Sequence, residues 1–245
     1  MATVLLVRHG RTTANASGTL AGWLPGVALD EVGQEAASAL GARLATAGMP
    51  VARLVSSPLP RCLETARLVA DALDDPPVLE TTDDLGECRY GAWSGRLLSE
   101  LATEPLWRVV QDHPSAARFP DGELLGESIA EMAARAVAAV RRVDAEVEAA
   151  HGADAVWIAV SHGDVIKAVL ADAAGAHLDQ FQRFVVDPAS VSIVRYTPTR
   201  PFLLRSNDLG GPLDAFRPRP ASGGQNGGSP SGVASGDAAV GGGAG

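Results

Sequence analysis

The stretch TVLLVRHGRTTAN, residues 3–15, decides how the rest of the chain is read. Its first five residues are apolar or β-branched without interruption, the pattern of a strand covered on both faces. The run empties directly into Arg8, His9 and Gly10, a permanent cation beside an imidazole where a strand would leave the core. On its own such a tripeptide is equally a solvated arginine next to a hydrogen-bonded histidine. Its meaning depends on what the other strands bring to the same place.

Comparable apolar runs recur at residues 52–57, 155–161, 190–196 and 202–206, and these read as strands. Helical patterns lie between them at 31–47, 60–73, 129–150 and 164–174. The third is the clearest, with Ile129, Met132, Ala136, Val140, Val143 and Val147 stepping by three and four. Ser128 and Glu131 form a capping-box pattern at its start, and Gly152 marks its end. Strands alternating with helices predict a three-layer α/β/α sandwich around a mostly parallel sheet, with the last two runs adding an antiparallel edge.

The chain has 245 residues, 46% of them hydrophobic, enough for one large domain. Lysine and arginine total 20 against 29 acidic residues, a net charge of -9. That balance speaks against nucleic-acid and anionic-membrane partners and makes any phosphate site local. Two cysteines, Cys62 and Cys88, suit a reducing compartment and read as small core residues. The N-terminus has no signal-peptide pattern and no run approaches a membrane span, so the expectation is a soluble, cytoplasmic protein. From residue 207 the composition shifts to Gly, Ser, Pro and Ala. This divides the chain into a domain over 1–206 and a tail over 207–245 expected to be disordered.

Three strands end in chemistry-bearing residues: the first in Arg8-His9-Gly10, the second in SSPLPR with Arg61 opening a helix, a later one in Ser161-His162-Gly163. In open α/β sheets ligands bind beyond the carboxyl ends of the strands, so these elements can deliver two arginines and two histidines to one crevice. Helix N-termini near Arg61 and His162 add backbone N–H donors, which makes the crevice an anion trap.

Five segments, LVRHGRTTAN, SSPLPRCLETA, LGECRYGAWSG, GESIAEMAAR and VSHG, occur in the order and approximate spacing of the histidine phosphatase superfamily, the phosphoglycerate mutase-like proteins. The chain resembles that family over residues 3–206. The resemblance implies that His9 is the nucleophile and that Glu87 exchanges the proton. It also implies that Asn15, Gly22, Gly163 and Tyr90 join Arg8, Arg61 and His162 around the substrate. Tyr90 and Trp93 are equally explained as aromatic packing beside a loop.

The residue types suit this chemistry without the family. A neutral imidazole can attack phosphorus if its other nitrogen is held by an acceptor. Arg8, Arg61 and a protonated His162 can spread over the phosphoryl oxygens, so no metal or other cofactor is expected. A carboxyl group with a raised pKa can protonate the leaving oxygen and later activate water, the part that falls to Glu87. Glu127 and Ser128 match the start of a family helix, but capping explains them. His113, His151 and His177 are expected at the surface or at helix ends.

Hydrolase and mutase differ in what meets the phosphohistidine. Ala21 and Cys88 stand where the mutases resembled here carry a small hydroxyl residue and an arginine, and residues 96–125 hold only Arg96, Arg108 and Arg118. Leu97, Leu98, Leu101, Leu106 and Trp107 in that segment suggest either a helical cap or packing. The sequence therefore predicts a phosphomonoester hydrolase acting on a small phosphorylated metabolite, with a phosphomutase as the alternative. A third reading, a catalytically idle phospho-ligand-binding module, is opposed by the complete set Arg8, His9, Arg61, Glu87 and His162. The oligomeric state is not legible.

Overall fold

The computed structural model describes residues 2–211 and Gly241. Six strands, β1 (Thr3–Arg8), β2 (Arg53–Ser56), β3 (Leu79–Thr81), β4 (Val156–Ser161), β5 (Val191–Arg195) and β6 (Phe202–Asp208), form one sheet in the order β3-β2-β4-β1-β5-β6. The pairs β3/β2, β2/β4 and β4/β1 are parallel, while β5 runs antiparallel to both β1 and β6. This is the expected three-layer α/β sandwich with its antiparallel edge. The three-residue β3 was not foreseen, because Leu79, Glu80 and Thr81 bury no apolar face that would mark them as a strand.

Alternation along the strands sorts the layers. Leu5, Val7, Leu54, Ile158 and Val160 face α2 (Glu31–Thr46) and α3 (Pro60–Ala70), meeting Leu40, Leu44, Cys62, Ala66 and Val69. Their neighbours Val4, Leu6, Val55, Trp157 and Ala159 face α6 (Ile129–His151) and α7 (Gly163–Ala173). Period-two strands covered on both sides read as continuous apolar runs, which is why TVLLV does not alternate. The Ser128/Glu131 capping box opens α6. Among the described residues no helix is long and apolar enough to cross a membrane.

Residues 96–125 fold as two short helices, α4 (Leu98–Leu101) and α5 (Pro105–Asp112), sealed to the body by Leu101, Trp107 and Val110. Trp107 stacks on Trp93 with ring centroids 6.3 Å apart. Packing, rather than an open cap, accounts for most of this segment. The expected boundary after residue 206 falls inside β6: Asn207 bonds to Asp187, and Asp208 pairs with Arg43. Residues 212–240 and 242–245 of the expected tail lie outside the described residues.

The turn after β1 crosses the start of α2 backbone to backbone. A Cβ on Gly33 would sit 2.1 Å from the Arg11 carbonyl oxygen, and one on Gly10 would sit 2.4 Å from that of Gly33. Asp30 caps α2 by accepting from the Gly33 N–H and pairs with Arg11 at 2.7 Å. Overpacking of this kind costs about 1–3 kcal/mol. Gly33→Ala is therefore expected to lower the melting temperature by roughly 2–10 °C, and a thermal scan matching the parent would show that the crossing yields easily.

Candidate active site

Strand register builds the site. Arg8 lies opposite Ser161, so the chain leaves β1 and β4 side by side, and the His9 N–H donates to the Ser161 carbonyl at 3.0 Å. β2 ends level with them, where the Ser57 N–H donates to Val160. Pro60 occupies the first turn of α3, a position that needs no N–H, and Arg61 follows it. Neither α3 nor α7 has a side-chain N-cap, so both helices present backbone donors at the strand ends.

Arg8, His9, Arg61, Glu87 and His162 are brought together here, each no more than 2% exposed. The His9 Nδ1 lies 2.7 Å from the Gly10 carbonyl oxygen. A carbonyl only accepts, so Nδ1 carries the proton and Nε2 keeps its lone pair. Burial holds the imidazole pKa well below its usual value, with Arg61 and Arg8 adding repulsion. His9 is thus neutral, with a free Nε2 lone pair. The Gly10 N–H is anchored on Thr65 Oγ1, which in turn donates to the Arg61 carbonyl.

The two guanidinium groups are held by backbone carbonyls: Arg8 Nη1 donates to Val186 at 2.6 Å and Arg61 Nη2 to Gly22 at 2.8 Å. Burial lowers the Arg8 pKa to about 10, opposed by Glu87, Asp187 and Asp164, so it stays charged at neutral pH. Arg61 Nη1 is buried with no hydrogen-bond partner among the described residues. A buried guanidinium donor left open is costly unless an anion takes it up.

His162 lies edge-on to His9, with ring centroids 5.2 Å apart, its Nε2 2.8 Å from Ser57 Oγ and its Nδ1 3.9 Å from Glu87 Oε2. The expected protonation of His162 is opposed by its protein surroundings. Burial, followed by Arg61, His9 and Arg8, holds its pKa well below the ordinary value. It is a neutral ring beside two fixed cations and contributes a single N–H.

Glu87 has the environment that its expected role requires. Burial, reinforced by Asp164, raises its pKa to about 7, while Arg61, the Cys88 N–H and Arg8 pull the other way. Its backbone is clamped: the Glu87 carbonyl accepts from Trp23 Nε1 at 2.6 Å and from Arg135 Nη2 at 2.9 Å. Arg135 also bonds the Asp84 and Gly86 carbonyls and forks onto both oxygens of Glu127. The capping explanation of Glu127 is therefore corrected for that residue. Ser128 caps α6, whereas Glu127 joins Arg135 and the Arg89 N–H in a clip that fixes the Glu87 loop.

The remaining expected residues divide. Gly163 opens α7 at the site. Gly22, at φ +52°, acts through the carbonyl that holds Arg61, and a Cβ there would press on the Tyr90 ring at 3.0 Å. Asn15 completes the capping box of the short helix α1 (Thr13–Ser17), whose N-cap is Thr12, its Oδ1 accepting from the Thr12 N–H and hydroxyl. Tyr90 is buried edge-on against Phe119, and its hydroxyl donates to Asp164 Oδ2 at 2.8 Å. Cys62 and Cys88 are buried free thiols, with burial pushing Cys62 up to about 12. His113 and His177 flank short helical turns and His151 closes α6, away from the site. Among the described residues no three His, Cys, Asp or Glu side chains stand close enough to hold a metal ion. Trp23, Arg135 and Asp164 were not singled out from the sequence; the Glu127-to-Arg135 spacing of two helical turns was the available signal for the clip.

Two buried arginines at the strand ends, beside a neutral histidine and a carboxyl group with its pKa raised to about 7, mark an α/β protein suited to phosphoryl transfer. The chain belongs to the histidine phosphatase superfamily (branch 1), whose model matches residues 4–209. It is 30% identical to phosphoserine phosphatase 1 of Hydrogenobacter thermophilus over 84% of this chain and 92% of that protein. It is 34% identical to a metal-independent phosphoserine phosphatase of Arabidopsis thaliana over 68% of this chain, a match that spans 66% of the plant protein. Among solved structures, Bacillus stearothermophilus YhfR superposes with a TM-score of 0.73 at 26% identity, covering 85% of this chain and 98% of that one.

Proposed function

We propose that the protein hydrolyses phosphomonoesters of small metabolites through a phosphohistidine at His9, without a metal. His9 Nε2 attacks phosphorus while the ester P–O bond breaks, and Glu87 gives its proton to the departing alkoxide. Water then attacks the same phosphorus, passes a proton to the Glu87 carboxylate and releases phosphate as the P–N bond breaks. Arg8, Arg61, an N–H of His162 and the first turns of α3 and α7 hold the equatorial oxygens throughout.

The observation that favours water over a second alcohol is where the nearby arginines point. Arg96 pairs with Glu104 and Arg108 with Asp112, each at 2.7 Å, and Arg118 pairs with Glu131. Arg89 lies over the Trp23 ring. With Ala21 and Cys88 in place of polar contacts, the pocket lacks a clamp for the carboxylate that a phosphoglycerate mutase must retain. A reducing, cytoplasmic location fits the two free thiols.

The test supplies EDTA-treated protein with phosphoserine, or with 3-phosphoglycerate plus a 2,3-bisphosphoglycerate primer, and follows free phosphate against 2-phosphoglycerate. Free phosphate is expected from a subset of esters in the presence of chelator, with negligible isomerisation. Activity restored only by added Mg²⁺ or Zn²⁺, or isomerisation without free phosphate, overturns the reading.

A further inference from the structure

Ser57 is a buried residue of the site to which the hydrolytic cycle assigns no role. The run Ser56-Ser57-Pro58-Leu59-Pro60 carries the chain from β2 into α3, and two prolines within three residues stiffen that turn. Ser57 is held on three sides. Its N–H donates to the Val160 carbonyl at 2.9 Å, its own carbonyl accepts from Ser56 Oγ at 2.8 Å, and its Oγ accepts from the Leu59 N–H at 3.3 Å. The same Oγ lies 2.8 Å from His162 Nε2. Both residues are 0% exposed, so bulk water takes no part in the contact.

The placement of hydrogens decides which atom donates. A neutral His162 has one N–H and one ring lone pair. If Nε2 carried the hydrogen, Ser57 Oγ would accept from both His162 and Leu59. Among the described residues its own hydrogen would then fall to the Cys62 sulfur, a weak acceptor. If Nε2 keeps the lone pair, the hydroxyl donates to it while accepting from Leu59, and every group has a good partner. The Cys62 thiol does not compete for that lone pair. Its sulfur is 3.4 Å from Nε2 and 3.9 Å from Nδ1, whereas an atom in line with one ring nitrogen would lie much farther from the other. It rests against the ring, with the Ser161 carbonyl as its acceptor at 3.5 Å.

We propose that Ser57 is a positioning residue whose hydroxyl donates to His162 Nε2 and fixes the ring in the tautomer that carries its hydrogen on Nδ1. Nδ1 is the nitrogen turned toward Glu87. Its 3.9 Å separation from Oε2 is too long for a hydrogen bond, but it marks the side of the ring on which the leaving oxygen is protonated. The opposite tautomer would turn a lone pair toward the phosphoryl oxygens and replace an attraction by a repulsion. His9 reaches the same tautomer by the opposite device: there a carbonyl acceptor draws the hydrogen to Nδ1, whereas at His162 a hydroxyl donor occupies Nε2. The inference rests on the hydrolase reading for the use made of that N–H.

The test reads the tautomer directly. Protein labelled with ¹⁵N at histidine, with His162→Gln to assign the signals, is recorded by NMR near neutral pH as parent, as Ser57→Ala and as Ser57→Thr, and kcat is measured for each. In the parent, His162 Nδ1 should give the signal of a protonated ring nitrogen and Nε2 that of a bare one. Ser57→Ala removes the donor, so both signals should move toward the Nε2–H form. Turnover should fall roughly tenfold, less than the about 10²- to 10³-fold for losing a donor outright, because part of the population keeps its Nδ1–H. Ser57→Thr retains the hydroxyl and should retain the Nδ1–H form and most of the turnover. A parent spectrum with the hydrogen on Nε2, or on both nitrogens, overturns the inference without any variant. So does a Ser57→Ala protein that loses turnover while its His162 signals stay in place, the outcome of a merely structural role. Should Ser57→Ala fail to fold, Ser57→Cys, with its weaker donor, must shift the signals the same way. The tautomer is read in the resting protein. A Ser57-dependent Nδ1–H form in a protein without phosphatase turnover would therefore sink the hydrolase reading and leave the placement of the hydrogen standing.

Discussion

Replacing His9 by alanine is expected to reduce turnover by on the order of 10⁴-fold or more, because the step it performs has no substitute in the site. Among the described residues the other imidazole nearby, His162, is held by Ser57 at Nε2 and lies edge-on to His9. Cys62 is 3.4 Å from His162 Nε2, but burial pushes its thiol up to about 12, which removes it as a nucleophile at neutral pH. In the parent, rapid quenching after mixing with substrate should trap a phosphoryl group on His9 that is acid-labile and base-stable. Phosphate should still bind to His9→Ala, since Arg8, Arg61 and the two helix ends remain. The open Arg61 Nη1 makes this second expectation specific: occupying a buried unpaired donor stabilises the fold, so millimolar phosphate should raise the melting temperature of parent and variant alike. Substantial turnover in His9→Ala, or a phosphoryl group on serine or cysteine, would remove the phosphohistidine from the mechanism.

Those parts of the molecule that depend on local pattern were legible in the sequence. TVLLV, the Ser128/Glu131 capping box and the stepping of α6 each encode their element within a few residues, and the register of parallel strands then brings Arg8, His9, Arg61 and His162 together. β3 was not legible, since three residues at a sheet edge carry no apolar period. Nor was the clip of Arg135 on Glu127: a glutamate beside a helix start is locally a cap, and only the folded loop shows that its oxygens face another turn. The charge of His162 is not legible from residue type for a different reason. Residue type places it beside phosphate, where an imidazolium would help, but complete burial beside two arginines decides its charge, and burial is a property of the packed site. Asp164 carries no signal in the sequence, because an acidic residue in a helix's first turn is ordinary there.

Glu87→Gln is expected to cost about 10²- to 10⁴-fold in turnover, the range for losing a general acid/base, and its pH dependence separates this role from a structural one. A group with a pKa of about 7 is half protonated at that pH. The first step consumes the protonated form, so in the parent kcat/KM should fall as pH rises through about 7. The acid side is set by His9, whose pKa is held well below its ordinary value, so the rate should not drop until well below pH 6.5. Glutamine keeps the acceptor for the Cys88 N–H and leaves the Trp23 and Arg135 clamps on the backbone carbonyl untouched. It should therefore fold normally while losing the alkaline limb altogether, because no proton remains to be lost there. Both half-reactions should slow. A substrate with a good leaving group, such as p-nitrophenyl phosphate, needs little help in the first step, so with it the variant should accumulate phosphohistidine, the second step still lacking its base. An alkaline limb that persists in Glu87→Gln, or a phosphoenzyme that decays at the parental rate, would place the proton transfer on another group.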